Sequence, residues 1–144
     1  MGRAIIVTGD EHVLRKHRAD ADKLYGFLAG YLSLKGHDVQ VVGPHQPVSL
    51  EHEEYLMAHS RGTNVVLDQL REATPQGLKS IVLFDPSPQY VDLWNGLMVP
   101  KAAFISTILH RPYAEGFNSA TYLHDGHYFT QSFQRIKKEL HQLF

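Results

Sequence analysis

The segment Tyr55–Thr63 combines residue types that could expose a reactive hydroxyl group. Its apolar residues predict a strand, the residues after Gly62 predict a helix, and Ser60 lies at the turn between them. Small residues, Ala58 and Gly62, flank Ser60 at two positions on either side and permit a tight turn that lifts the hydroxyl above a sheet. The following amide, at a helix start, can stabilise a negatively charged oxygen. In the simpler alternative, Ser60 only caps the helix.

A serine hydroxyl needs a base before it can act as a nucleophile at neutral pH. The sequence has ten histidines, and the segment Leu123–Phe129 supplies His124 and His127. Gly126 permits a bend directly before His127, so its imidazole could reach back towards Ser60. The alternatives for this segment are an ordinary surface loop and a pair of metal-ligating histidines.

Other patterns that could hold a metal or a cofactor are incomplete. Histidines four apart bind metal best on a helix, and neither the segment 124–127 nor His52 with the glutamates after it has a helical pattern. Cysteine is absent, which excludes thiolate sites and disulfides. The segment Thr8-Gly9-Asp10 lacks the further glycines of a dinucleotide-binding loop. We therefore expect no metal and no cofactor.

Apolar runs alternate with helical patterns along the chain, which indicates βαβ units and a parallel sheet. The patterns predict strands at about 3–8, 38–42, 53–58, 79–84, 101–109 and 120–123, and helices at about 17–35, 61–73 and 128–143. The expected fold is a single α/β domain, residues 1–144, with helices on both faces of a mostly parallel, six-stranded sheet: a three-layer α/β/α sandwich.

Several polar residues come directly after predicted strands. Because parallel strands end at the same edge of a sheet, Asp10, Ser60, Asp85, Glu115 and His127 should lie along one edge. Ligands of open α/β sheets bind at this edge.

The turn at Ser60 and the Gly126-His127-Tyr128 loop resemble the α/β-hydrolase superfamily, whose nucleophile elbow reads small-x-Ser-x-Gly between a strand and a helix. Position 62 keeps the family's glycine, and position 58 is alanine where glycine is usual. The order of elements fits along nearly the whole chain, without room for a cap domain. The resemblance implies a small, capless serine esterase with Ser60 as nucleophile and His127 as base.

The resemblance also implies an acid and an oxyanion hole. Asp85, in Phe84-Asp85-Pro86-Ser87-Pro88, resembles the acid of the pancreatic-lipase branch, and Glu115 is the alternative after the next strand. The amides of Arg61 and Asp10 would bind the oxyanion. An aspartate side chain at position 10 is an unfavourable neighbour for a developing negative charge. Trp94, Leu97 and Met98 could line a substrate pocket or pack in the core.

The composition adds limits on the partners. With 14 basic and 15 acidic residues the net charge is −1, which gives no electrostatic reason to expect nucleic acid or an anionic membrane as a partner. The sequence shows no leader pattern and no apolar stretch that could span a bilayer, so we expect a cytoplasmic protein. A homodimer stays an open alternative to a monomer.

Two functions follow from these patterns. The first is a serine hydrolase that cleaves a small carboxylic ester or thioester through an acyl-enzyme. The second is a binding or interaction protein that keeps a hydrolase-like fold without catalysis, since fold alone does not fix function. The small size of the chain, the aspartate in the oxyanion loop and the missing Gly-x-x-Asp pattern before Glu115 favour the second.

Overall fold

The computed structural model describes residues 2–10, 15–47, 49–86, 99–107 and 119–143. Within these residues six strands occur: β1 (Arg3–Val7), β2 (Asp38–Val42), β3 (Tyr55–His59), β4 (Ser80–Phe84), β5 (Lys101–Ser106) and β6 (Ser119–Tyr122). Three long helices accompany them in the same described ranges: α1 (Arg18–Leu34), α2 (Arg61–Glu72) and α3 (Phe133–Leu143).

The strands form one parallel sheet in the order β2-β1-β3-β4-β5-β6. β1 therefore has β2 on one side and β3 on the other, and the chain changes its direction of travel across the sheet at this point. In open parallel sheets such a switch leaves a crevice at the carboxyl ends of the two strands. The loop after β1 and the turn after β3 border this crevice.

Two apolar clusters cover the two faces of the sheet because strand side chains alternate between faces. Ala4, Ile6 and Met57 contact the buried residues of α1 and α3, such as Leu24 and Ile136. The second cluster joins strand residues to the inner side of α2: Ile5, Val7, Leu56, Ala58, Val66, Leu67 and Leu70. These layers confirm the predicted α/β/α sandwich.

Two boundaries differ from the sequence predictions in ways that matter for the site. β3 extends through His59, so this histidine is a buried strand residue rather than part of the turn. α3 starts at Phe133 instead of Tyr128 because Phe129 has a φ of 57°, which a right-handed helix cannot contain. The residues before α3 thus form a turn that carries His127.

Candidate active site

Ser60 occupies a strained turn between β3 and α2. Its φ of 55° and ψ of −121° lie in a region that non-glycine residues rarely adopt. Its side chain makes no capping hydrogen bond to α2, so the simple capping role does not describe it. Instead the Ser60 carbonyl accepts hydrogen bonds from the backbone and the hydroxyl of Thr63, at 3.0 and 2.6 Å. The Ser60 hydroxyl is therefore not engaged in capping α2.

Two glycines let neighbouring backbone approach this turn. A Cβ on Gly62 would overlap the carbonyl oxygens of Val7 and Thr8, so no larger residue fits without backbone movement. A Cβ on Gly9 would lie 3.4 Å from the Cβ of Ser60. The loop after β1 is therefore in direct contact with the turn, as the expected source of a second oxyanion donor requires.

Asp85 and His127 form a hydrogen-bonded pair at the same sheet edge. Asp85 directly follows β4, whose last residue, Phe84, pairs with His59 at the end of β3. The Oδ2 atom of Asp85 lies 2.7 Å from Nδ1 of His127. The side chain of Asp85 is 2% exposed, whereas that of His127 is 39% exposed. The imidazole is thus anchored by a buried carboxylate and accessible to a ligand.

Hydrogen bonds keep the buried Asp85 in its charged form. Burial alone would raise the pKa of Asp85, but hydrogen bonds from His127, Thr107 and Ser106 outweigh burial and lower it below its ordinary value. Ser106 Oγ and the Thr107 amide donate to Oδ1, at 2.9 and 2.6 Å, and Thr107 Oγ1 donates to Oδ2 at 2.7 Å. Because the carboxylate only accepts, Nδ1 of His127 carries a proton, and Nε2 is the ring nitrogen that can serve as a base.

The side chains of the two expected oxyanion donors neutralise each other. Arg61 Nη1 lies 3.0 Å from Asp10 Oδ2. This ion pair offsets the negative charge of Asp10, which the sequence alone presents as an unfavourable neighbour. Arg61 is also the first residue of α2, where backbone amides have no partner within the helix. A positive helix end and a paired carboxylate therefore border Ser60.

Hydrogen bonds to Asp125 stabilise the loop that carries His127. Asp125 accepts hydrogen bonds from the amide of Gln131 and the hydroxyl of Ser132, at 3.0 and 2.6 Å. These bonds brace the turn before α3. A groove of about 290 Å³ adjoins His127 on this side; its other lining residues are His17, Asp20, Gly126, Tyr128 and Thr130.

Several contacts of the site were not predicted from the sequence. The donors to Asp85, Ser106 and Thr107, lie at the end of β5, and polar residues at a strand's carboxyl end were a usable signal for them. His59 accepts or donates hydrogen bonds at both ring nitrogens, to Tyr25 and to His127, each at 2.8 Å. The sequence feature that could have identified His59 is a polar residue at the end of an apolar strand.

Some predicted residues lie outside the described residues. Glu115, Trp94, Leu97 and Met98 are among them. Within the described ranges, no group of three or more histidine, aspartate or glutamate side chains is arranged to hold a metal ion. In the same part of the chain, no helix has both the length and the apolar character needed to cross a bilayer.

Comparison with known proteins identifies a fold but no sequence family. No family model and no curated protein matches the chain. A solved structure described as the esterase domain of a Rhodothermus marinus protein is similar, with a TM-score of 0.65 at 10% identity. The match covers 96% of this chain and 84% of the other. The chain thus has an esterase-like α/β fold, while its chemistry must be argued from its own residues.

Proposed function

We propose that this protein is a serine hydrolase of the α/β-hydrolase type that cleaves a small carboxylic ester or thioester. The observation that carries the proposal is the hydrogen bond of 2.7 Å between His127 Nδ1 and the buried, charged Asp85, at the sheet edge where Ser60 occupies its strained turn. Serine esterases and proteases combine a nucleophilic serine with a histidine whose tautomer is fixed by a carboxylate, and Asp85 and His127 form such a pair. The esterase domain with a similar fold adds support.

In the proposed reaction the Ser60 hydroxyl attacks the carbonyl carbon of the ester while His127 Nε2 takes its proton. The carbonyl oxygen becomes an oxyanion held by the amides of Arg61 and Asp10. The C–O or C–S bond then breaks, and His127 returns the proton to the leaving alcohol or thiol. Water, deprotonated by His127, attacks the acyl-serine; the bond to the Ser60 oxygen breaks, His127 returns the proton to that oxygen, and the carboxylic acid leaves. Asp85 stabilises the imidazolium in both halves.

Labelling with a fluorophosphonate probe tests this proposal, because the probe reacts with activated serines. We expect one probe per molecule on the peptide that contains Ser60, and none on Ser60→Ala, whose folding is checked by circular dichroism. Ser33→Ala is a matched control, since Ser33 is an exposed residue of α1 with no part in the proposed reaction. A folded wild type that stays unlabelled and inactive on short-chain aryl esters would contradict the proposal and favour a non-catalytic binding protein.

A further inference from the structure

A buried chain of hydrogen bonds connects the loop after β1 to the loop of His127, and the proposed reaction does not use it. The amide of Gly9, next to Asp10, donates to Tyr25 Oη at 2.9 Å. Tyr25 Oη lies 2.8 Å from His59 Nδ1, and His59 Nε2 lies 2.8 Å from the carbonyl oxygen of His127. The chain therefore runs from the loop after β1, across α1 and β3, to the loop of the base.

The direction of every bond follows from the chemistry of its atoms. A carbonyl oxygen only accepts, so His59 Nε2 must donate to His127. His59 is 1% exposed, and burial, together with the nearby His127, lowers the pKa of its imidazole to about 4. The ring is therefore neutral at pH 7, its Nδ1 accepts, and the Tyr25 hydroxyl donates to it. The same hydroxyl oxygen accepts from Gly9, so each group has one consistent role.

The neutral state of His59 also matters for the charge at His127. The centroids of the two rings are 4.6 Å apart. A cation at position 59 would oppose the imidazolium that the proposed reaction forms at His127, since like charges disfavour each other strongly when partly buried. A neutral histidine positions the loop of the base without this penalty.

We propose that His59 and Tyr25 are positioning residues that couple the oxyanion loop at Gly9 and Asp10 to the base loop at His127. His59 holds the backbone of His127 so that its ring meets Asp85. Tyr25 holds the Gly9 amide so that the next amide, that of Asp10, faces the turn at Ser60. The kinetic consequence rests on the proposed hydrolase function, whereas the hydrogen bonds do not.

Tyr25→Phe tests the coupling because it removes the hydroxyl and keeps the ring. The same helix offers a matched control, Tyr31→Phe: Tyr31 is 6% exposed, and its Oη lies 3.2 Å from Nδ1 of His141, a residue of α3 outside both loops of the site. On an aryl ester we expect Tyr25→Phe to lower kcat about tenfold with little change in KM, as for a small misplacement of reacting groups. Tyr31→Phe should keep the wild-type kcat.

Two substitutions at His59 separate the two ends of the chain. The amide of glutamine can donate near the former Nε2, so His59→Gln should keep the bond to His127 and most of kcat. Asparagine places its polar atoms near the former Nδ1, so His59→Asn should lose the bond to His127 and more of kcat. Equal, wild-type kcat in Tyr25→Phe and His59→Asn would overturn the coupling.

A nitrogen NMR measurement distinguishes failure of the coupling from failure of the proposed function. We expect His59 to be protonated at Nε2 alone at pH 7. We expect Tyr25→Phe, but not Tyr31→Phe, to shift the Gly9 amide and the imidazole nitrogens of His127. If the wild type is not labelled by the fluorophosphonate but Tyr25→Phe causes these shifts, the coupling stands and the hydrolase function fails. If it is labelled but the His127 nitrogens do not respond to Tyr25→Phe, the coupling fails and the function stands.

Discussion

Each end of the sheet buries a carboxylate, and the pKa values of the two carboxylates shift in opposite directions. At the carboxyl end, the buried Asp85 accepts hydrogen bonds from three residues, which lower its pKa. At the amino end, Glu53 is 2% exposed, its Oε2 has no hydrogen-bond partner within the described residues, and burial raises its pKa. Arg3 contacts only its other oxygen, at 3.3 Å, from a mostly exposed position.

Burial acts on both groups in the same direction, so the difference lies in the donors that surround them. Parallel strands bring several loops to the carboxyl end, where Ser106, Thr107 and His127 converge on Asp85. Backbone geometry differs as well: within the described residues, the non-glycine residues with positive φ are Ser60, Asp85 and Phe129, all near this end. Strain and satisfied buried charge mark the end that we assign to function.

The largest expected contrast is in activity. Asp85→Asn should lower kcat on an aryl ester by about three to four orders of magnitude, because the amide cannot hold the required tautomer of His127 or stabilise its imidazolium. Glu53→Gln should leave kcat unchanged. Equal activities of the two variants, measured at the same pH and with folding verified, would remove Asp85 from the proposed mechanism.

A second contrast concerns glycines at the two ends. Gly62→Ala should cost about 3 kcal/mol in the free energy of unfolding, because its Cβ meets backbone oxygens that cannot move aside. A Cβ on Gly2 would lie 2.8 Å from Cε2 of the Tyr55 ring, a side chain that can shift, so Gly2→Ala should cost under about 1 kcal/mol. Urea unfolding of both variants measures the difference, and a tolerated alanine at position 62 would refute the close approach at the turn.

His59 should make the carboxyl end sensitive to acid. With its pKa lowered from 6.5 to about 4, the folded state binds fewer protons than the unfolded state between these values, so stability falls as pH falls through this window. At pH 4.5 the loss relative to neutral pH is about 2–3 kcal/mol. Unfolding measured against pH should show a shallower slope in His59→Gln, while His124→Gln, at an exposed position, should keep the wild-type slope.

The two carboxylates should give smaller slopes of opposite sign. Because the pKa of Asp85 in the folded protein is below its ordinary value of 3.8, Asp85 stabilises the fold at pH values above 3.8. This stabilisation is lost as pH falls through the pKa of the folded state. The raised pKa of Glu53 makes its ionisation costly, so stability declines as pH rises above 4.5. Glu53→Gln should remove this decline, and Arg71→Gln, on the surface of α2, should not. A steeper decline in Glu53→Gln would contradict the assigned direction.

The sequence predicted the layers and the strand positions because alternating and helical periodicities report which face of each element is buried. Strand order, which creates the crevice between β1 and β3, has no such local signal. The turn at Ser60 and the Gly126-His127 loop were found because tight turns require small residues at fixed spacing. Their mutual placement depends on contacts between distant parts of the chain.

The parts of the site that escaped prediction are those built by distant residues. His59 filled a variable position in the elbow pattern, and its partner Tyr25 lies 34 residues earlier on α1. The start of α3 was misplaced because Phe129 continues the apolar period of the helix while its backbone, with a φ of 57°, does not. Periodicity reports which side chains are buried, and Phe129 is fully buried although it lies in a turn rather than in a helix.

The central claim is that Ser60, activated by His127, carries an acyl group during turnover. The most direct measurement is rapid acid quenching of the protein with an activated aryl acetate, followed by mass spectrometry of its peptides. The account predicts an acetyl group on the peptide that contains Ser60, reduced strongly in Asp85→Asn and absent in Ser60→Ala. Ester turnover with the acetyl group on another residue, or undiminished turnover by Ser60→Ala, would contradict it.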